Sequence, residues 1–112
     1  MRRRVLKLLG DIQASGTSIQ GYVAGMAEGD YLANQAIRRS VERVFEIIGE
    51  ALRRLSSLDP AVFARIGNAR QFIDFGNVLT HGYDVVDDSI VWSTIAKRLP
   101  TLLTEVDALT CE

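Results

Sequence analysis

Between Tyr31 and Leu55 the residues Ile37, Val41, Val44, Phe45, Ile48, Leu52 and Leu55 return at three- and four-residue steps, the period with which one face of an α-helix meets a core. The positions between them hold Arg38, Arg39, Glu42, Arg43, Glu46, Glu50, Arg53 and Arg54. A helix of that length with one apolar stripe cannot stand alone and must bury the stripe against other elements. The charged face can be absorbed by local pairing, because Glu46 and Glu50 each have an arginine three or four residues away. That solvated-face reading applies to Arg38 and Arg39 as well, against the alternative of an RNA track.

The rest of the chain has the same grain. From Arg4 to Met26, Val5, Leu8, Leu9, Ile12, Ile19, Tyr22, Val23 and Met26 keep a helical period, weakened at Gly16 and Gly21 by about 1 kcal/mol each. Glu28-Gly29-Asp30 reads as a turn with Asp30 as N-cap of the long helix. Ser56 to Pro60 ends that helix, and Asp59 is placed to cap the next. A third helix is expected from Pro60 to Thr80 or His81, with a break near Gly67-Asn68, and Gly82 offers a permissive backbone at its exit. Asp87 or Asp88 caps a fourth, from Ser89 to about Asp107, which Pro100 should kink or restart. No run alternates long enough for a strand, so the fold class is all-α, an up-and-down bundle of about four helices formed by residues 1–112 as a single domain.

A formal charge of −1 gives no overall pull toward nucleic acid, so RNA binding would depend on local basic clusters or on an oligomer that gathers them. Cys111 is the single cysteine, which removes an internal disulfide and a cysteine metal cluster and fits a reducing cytoplasm. The basic start Met1-Arg2-Arg3-Arg4 is followed by charge too soon for a signal-peptide core, and no stretch approaches the roughly 20 apolar residues of a membrane span.

The chemistry concentrates in Gly76-Asn77-Val78-Leu79-Thr80-His81-Gly82-Tyr83. Histidine, present once, is the side-chain type that exchanges protons near neutral pH. Cleaving RNA needs a base for the 2′-hydroxyl, an acid for the leaving oxygen and cations for the charge that builds on phosphorus. On its own, a histidine near a helix end more often caps it or pairs with a neighbour such as Asp84 or Asp87. Asp84, Asp87 and Asp88 likewise read as caps before they read as a cation site. No P-loop or Gly-x-Gly-x-x-Gly pattern is present, and Trp92 is most simply core or dimer interface.

In its surroundings the segment resembles the signature of HEPN-domain ribonucleases, above all the HepT-like toxins of prokaryotic toxin–antitoxin pairs. In these, four to six residues separate an Arg from a His-x-Tyr. Ile47-Ile48-Gly49-Glu50-Ala51, Val86-Asp87, Ile90-Val91-Trp92 and Leu99-Pro100-x-Leu102 match the family in order and spacing, so the resemblance covers nearly the whole chain. It implies a homodimer whose motif helices face one another over a composite, metal-independent cleft that takes no cofactor. His81 would be the acid–base residue, with Asn77 orienting the site or the phosphate. It also implies an antitoxin partner, a small nucleotidyltransferase of the MntA type, in a larger hetero-oligomer or a simple pair. That partner can transfer AMP to the motif tyrosine, here Tyr83, blocking the cleft by bulk and like charge.

The chain departs from the family at one place. Positions 74, 75 and 76 hold Asp74, Phe75 and Gly76, and none is basic. Loss of one charge donor costs about a hundred- to thousandfold in rate. The expectation is therefore an RNase fold, acting on tRNA or mRNA, whose catalysis Gly76 impairs. Arg70 is three turns from His81, roughly 16 Å along a helix axis, too far to compensate. Glycine is also unfavourable in a helix interior by about 1 kcal/mol, which makes Gly76 a poor structural choice there. The rival reading is a noncatalytic helical partner or regulator of a nucleotidyltransferase.

Overall fold

The computed structural model describes residues 2–112, and among them no strand occurs. α1 spans Arg2–Tyr22, α2 Glu28–Leu32, α3 Gln35–Leu58, α4 Pro60–Phe63 and α5 Ala69–His81. A 3₁₀ turn at Tyr83–Val85 leads to α6, Asp88–Ser93, which continues through five π-helical residues, Thr94–Arg98, into α7, Leu99–Thr110.

α3 is the central helix, with α1 against one side and α5 against the other, while α7 returns to α1. The stripe that made α3 legible is the core: Val41, Phe45, Ile48, Leu52 and Leu55 are all buried. They meet Leu9 and Ile12 of α1, Phe72 and Leu79 of α5, and Leu102 and Val106 of α7. Phe45 carries the α3–α5 contact, with ring centroids 6.3 Å from Phe72 and 5.2 Å, edge-on, from Phe75. Trp92 packs into the core, 5.5 Å from the buried Tyr31 ring. Burial of its ring pushes the Tyr31 hydroxyl's pKa well up, with the Glu42 and Asp88 carboxylates adding to the shift.

Caps set most of the boundaries. Asp59 accepts from the Val62 amide at 3.1 Å and starts α4 with Pro60 behind it, and Asp87 caps α6 through Ser89 and Ile90, as their residue types predict. The start of α3 differs from expectation. Asn34, not Asp30, is its N-cap, accepting from the Ile37 amide at 3.0 Å. Asp30 lies inside the short α2 and accepts instead from the Ala27 amide. α1 stops at Tyr22 rather than Met26, because the chain turns at Gly25 with φ +77°, a conformation that favours glycine. The π-helical residues end at Arg98, in the turn preceding Pro100, whose ring removes an amide and crowds that turn.

Two glycines that weaken their helices in isolation sit where helices approach. A Cβ at Gly16 would fall 2.5 Å from a Leu103 methyl of α7. Gly76 lies against Gly49, at the α3–α5 crossing. Among the described residues no helix is long and apolar enough to cross a membrane.

Candidate functional site

α3 and α5 run antiparallel and touch closely at Gly49 and Gly76. With no side chain on either, the crossing has a bare backbone floor, and a groove of ≈ 410 Å³ opens above it. α5 contributes Ile73, Gly76, Asn77, Thr80 and His81 to this groove, and α3 contributes Arg43, Glu46, Gly49, Glu50 and Arg53. Each set follows from helical spacing, since residues three and four apart share a face.

His81 is the last residue of α5 and is exposed, so it stands at the mouth of the groove with Asn77 one turn behind. Among the described residues it makes no ion pair; the Asp87 carboxylate, one candidate partner, is engaged as a cap. The Thr80 hydroxyl lies 2.8 Å from Glu46 Oε1 and 3.0 Å from the Gly76 carbonyl oxygen, sharing its proton between them. That contact fixes the register of the two helices beside His81. The backbone leaves α5 at Gly82 with φ −120°, so no left-handed conformation is used. Glycine eases the exit sterically, because a Cβ would sit 3.1 Å from Val85 Cγ2 and 3.2 Å from the Val78 carbonyl oxygen.

Of the residues the motif singles out, His81, Asn77 and Gly76 come together and Tyr83 does not join them. Tyr83 is 82% exposed in the 3₁₀ turn and lines no part of the groove. Position 74 is an exposed carboxylate, and Phe75 is committed to Phe45. Arg70 stacks its guanidinium on the Phe63 ring at 5.2 Å, away from the groove. Of the basic residues on α3, Arg38 bonds the Leu32 carbonyl and pairs with Asp88, and Arg39 pairs with Glu42. Arg53 and Arg54 both hold Glu50, and their hydrogen bonds, Arg53's first, keep the Glu50 carboxyl below its usual range.

The sequence places Arg43 and Glu46 on a solvated charged face and Thr80 at a helix end, not in the site where the groove gathers them. The signal available was the 43-46-50-53 spacing along one edge of the α3 stripe, but which helix faces that edge is a tertiary fact.

Gly76 has room for a side chain. A Cβ there would lie 3.5 Å from Gly49 Cα and from the Phe45 carbonyl oxygen, ordinary contact distances, whereas one at Gly49 would lie 3.1 Å from the Phe72 carbonyl. Close packing therefore demands glycine at 49 and merely accepts it at 76. Gly76→Ala is expected to raise stability by about 0.5–1 kcal/mol through helix propensity, read from the midpoint of denaturant unfolding; a loss of that size would show a tighter crossing.

The family model described as ribonuclease HepT-like matches residues 12–109. A candidate RNase of Methanocaldococcus jannaschii is 26% identical over 106 residues, spanning 95% of this chain and 96% of that protein. A second protein of the same organism, named as a gamma-glutamylcyclotransferase and candidate RNase, is 29% identical over 109 residues; the match spans 95% of this chain but 47% of the relative. No solved structure gives a significant match.

Proposed function

The chain belongs to the HepT-like ribonuclease family, and from that premise we propose that it is the toxin subunit of a toxin–antitoxin pair, a metal-independent endoribonuclease of single-stranded tRNA or mRNA segments with catalysis impaired at Gly76. The observation that carries this reading is the groove in which His81 and Asn77 of α5 face arginines of α3 over a bare glycine floor. A base, a polar group that can orient a phosphate, and cations at one exposed groove are the parts RNA transesterification uses.

In that reaction His81 takes the proton of a ribose 2′-hydroxyl and the 2′-oxygen attacks the adjacent phosphorus. The bond to the 5′-oxygen of the next nucleotide breaks, leaving a 2′,3′-cyclic phosphate and a 5′-hydroxyl. No residue at 74, 75 or 76 supplies the family's cation to the pentacoordinate phosphorus, which is why the rate is low. The active form is a cytoplasmic homodimer. Val78 and Val85, exposed by 44% and 70%, approach one another over Gly82 and offer an apolar patch that suits a second copy of this chain, and Tyr83 is 82% exposed. The same exposure leaves the Tyr83 hydroxyl open to adenylylation by a nucleotidyltransferase antitoxin. The second reading, a noncatalytic partner of such an enzyme, is favoured by one observation, the lack of a basic residue at 74–76.

Long incubation of single-stranded RNA with the chain and a chelator is expected to yield slow cleavage with 2′,3′-cyclic phosphate ends. His81→Ala should reduce it by about 10²–10⁴-fold. Equal cleavage by the His81→Ala protein would place the chemistry elsewhere and leave the noncatalytic reading in front.

A further inference from the structure

The register of α3 against α5 brings a particular arginine to the His81 end of the groove. Gly76 of α5 lies against Gly49, and four residues on, Thr80 reaches back to Glu46. Advancing along α5 therefore means retreating along α3. One step past Thr80 is His81; one turn back from Glu46, about 4.5 Å along the axis, is Arg43. Both line the same groove. Arg53, the other arginine on this wall, lies ten positions further along α3, at the end of the groove nearer Ile73, roughly 15 Å from Arg43 along the axis.

The pairing pattern separates the two further. Arg38, Arg39, Arg53 and Arg54 of α3 all have a carboxylate within ion-pair distance. Among the described residues Arg43 has none, and it is exposed. Glu46, one turn away and the nearest carboxylate on this face of α3, instead accepts from the Thr80 hydroxyl at 2.8 Å. Arg43 thus keeps its donors available at the mouth of a groove whose floor has no side chain at position 76.

We propose that Arg43 is a catalytic residue of this chain: its guanidinium binds the non-bridging oxygens of the scissile phosphate from α3 and supplies, across the groove, the positive charge that position 76 lacks. The inference rests on the ribonuclease reading above. The planar guanidinium can donate two parallel hydrogen bonds to a phosphate, and both strengthen as charge builds on the pentacoordinate phosphorus. His81 accepts the 2′-hydroxyl proton and later returns it to solvent. The leaving 5′-oxygen takes its proton from water, so the reaction closes with no added oxidant, reductant or metal.

The test is metal-free cleavage of an end-labelled single-stranded RNA by the full chain and by Arg43→Ala, Arg43→Lys, Gly76→Arg and the Gly76→Arg, Arg43→Ala double variant, each checked for native helix content. Arg43→Ala should lower kcat by about a hundredfold, and Arg43→Lys, which keeps the charge but not the fork, should recover part of it. In the Gly76→Arg background the same Ala substitution should cost about fivefold or less, because the guanidinium introduced on α5 then carries the charge; a residue that only supported the fold would cost the same in both backgrounds. The proposal is overturned by three results: unchanged cleavage by Arg43→Ala, equal losses in the two backgrounds, or a silent native chain beside an active Gly76→Arg protein. All three leave the ribonuclease reading standing. Silence from every folded protein, Gly76→Arg included, removes that reading and Arg43's role together.

Discussion

Gly76→Arg should raise the rate of metal-free RNA cleavage by about a hundredfold, the lower end of what a transition-state charge donor contributes. The first atom of the new side chain fits, since it meets the backbone of Gly49 and Phe45 at 3.5 Å. Position 76 lines the same groove as His81, which stands five residues and somewhat over one turn further along α5, so the groove is the space open to the rest of the side chain. Two effects keep the gain from being larger. Glu46 and Glu50 line the same groove and compete with phosphate for the new guanidinium. Arg43 also already stands at the His81 end, so the second cation adds to a site that is not bare. Arginine is a better helix former than glycine by nearly 1 kcal/mol, so the variant should fold at least as well as the native chain, and a rate change can be read as chemistry.

Gly49→Val is expected to lower stability by about 3 kcal/mol, the upper end of the ordinary cost of overpacking. A Cβ at 49 falls 3.1 Å from the Phe72 carbonyl oxygen, and valine adds two methyls to that carbon while restricting it to essentially one rotamer in a helix. The carbonyl belongs to the α5 backbone, so relief means separating α3 from α5. Those helices also share the Phe45 contacts with Phe72 and Phe75, and the groove floor would deform with them. Denaturant unfolding measures the loss; a change within about 0.5 kcal/mol, the range of a neutral surface substitution, would mean that the crossing is not tight. The contrast with Gly76→Ala, expected to stabilise, makes the pair informative: two glycines touching one another answer to different constraints.

Much of the fold could be read from local chemistry. The stripe from Val41 to Leu55 has the helical period, and Asp59-Pro60 and Asp87 are cap sequences whose side chains bond the amides their types predict. The start of α3 falls at Asn34 and not at Asp30 because Asp30 belongs to the five-residue α2, which is too short to leave a periodic signal of its own. Pro100 announced a disturbance but not its form, since a π-helical stretch and a kink both accommodate a missing amide. Within the site, α5 was legible because Gly76, Asn77 and His81 lie close together in sequence. The α3 wall was not. Arg43 comes to share a groove with His81, and Glu46 to meet Thr80, through the register of two helices separated by the α4 connection, and glycines at 49 and 76 do not declare that they face each other. Tyr83 was legible as an unusual residue, yet its 82% exposure outside the groove follows from the 3₁₀ turn that carries the chain away after Gly82.

The central claim is that the α3–α5 groove cleaves RNA through His81. It is tested most directly by comparing metal-free cleavage of single-stranded RNA by the native chain, Gly76→Arg and the Gly76→Arg, His81→Ala double variant. The expected result is slow cleavage by the first, about a hundredfold faster cleavage by the second, and loss of nearly all activity in the third, with 2′,3′-cyclic phosphate ends throughout. A folded Gly76→Arg protein that leaves RNA intact, or one whose cleavage survives the loss of His81, would contradict it.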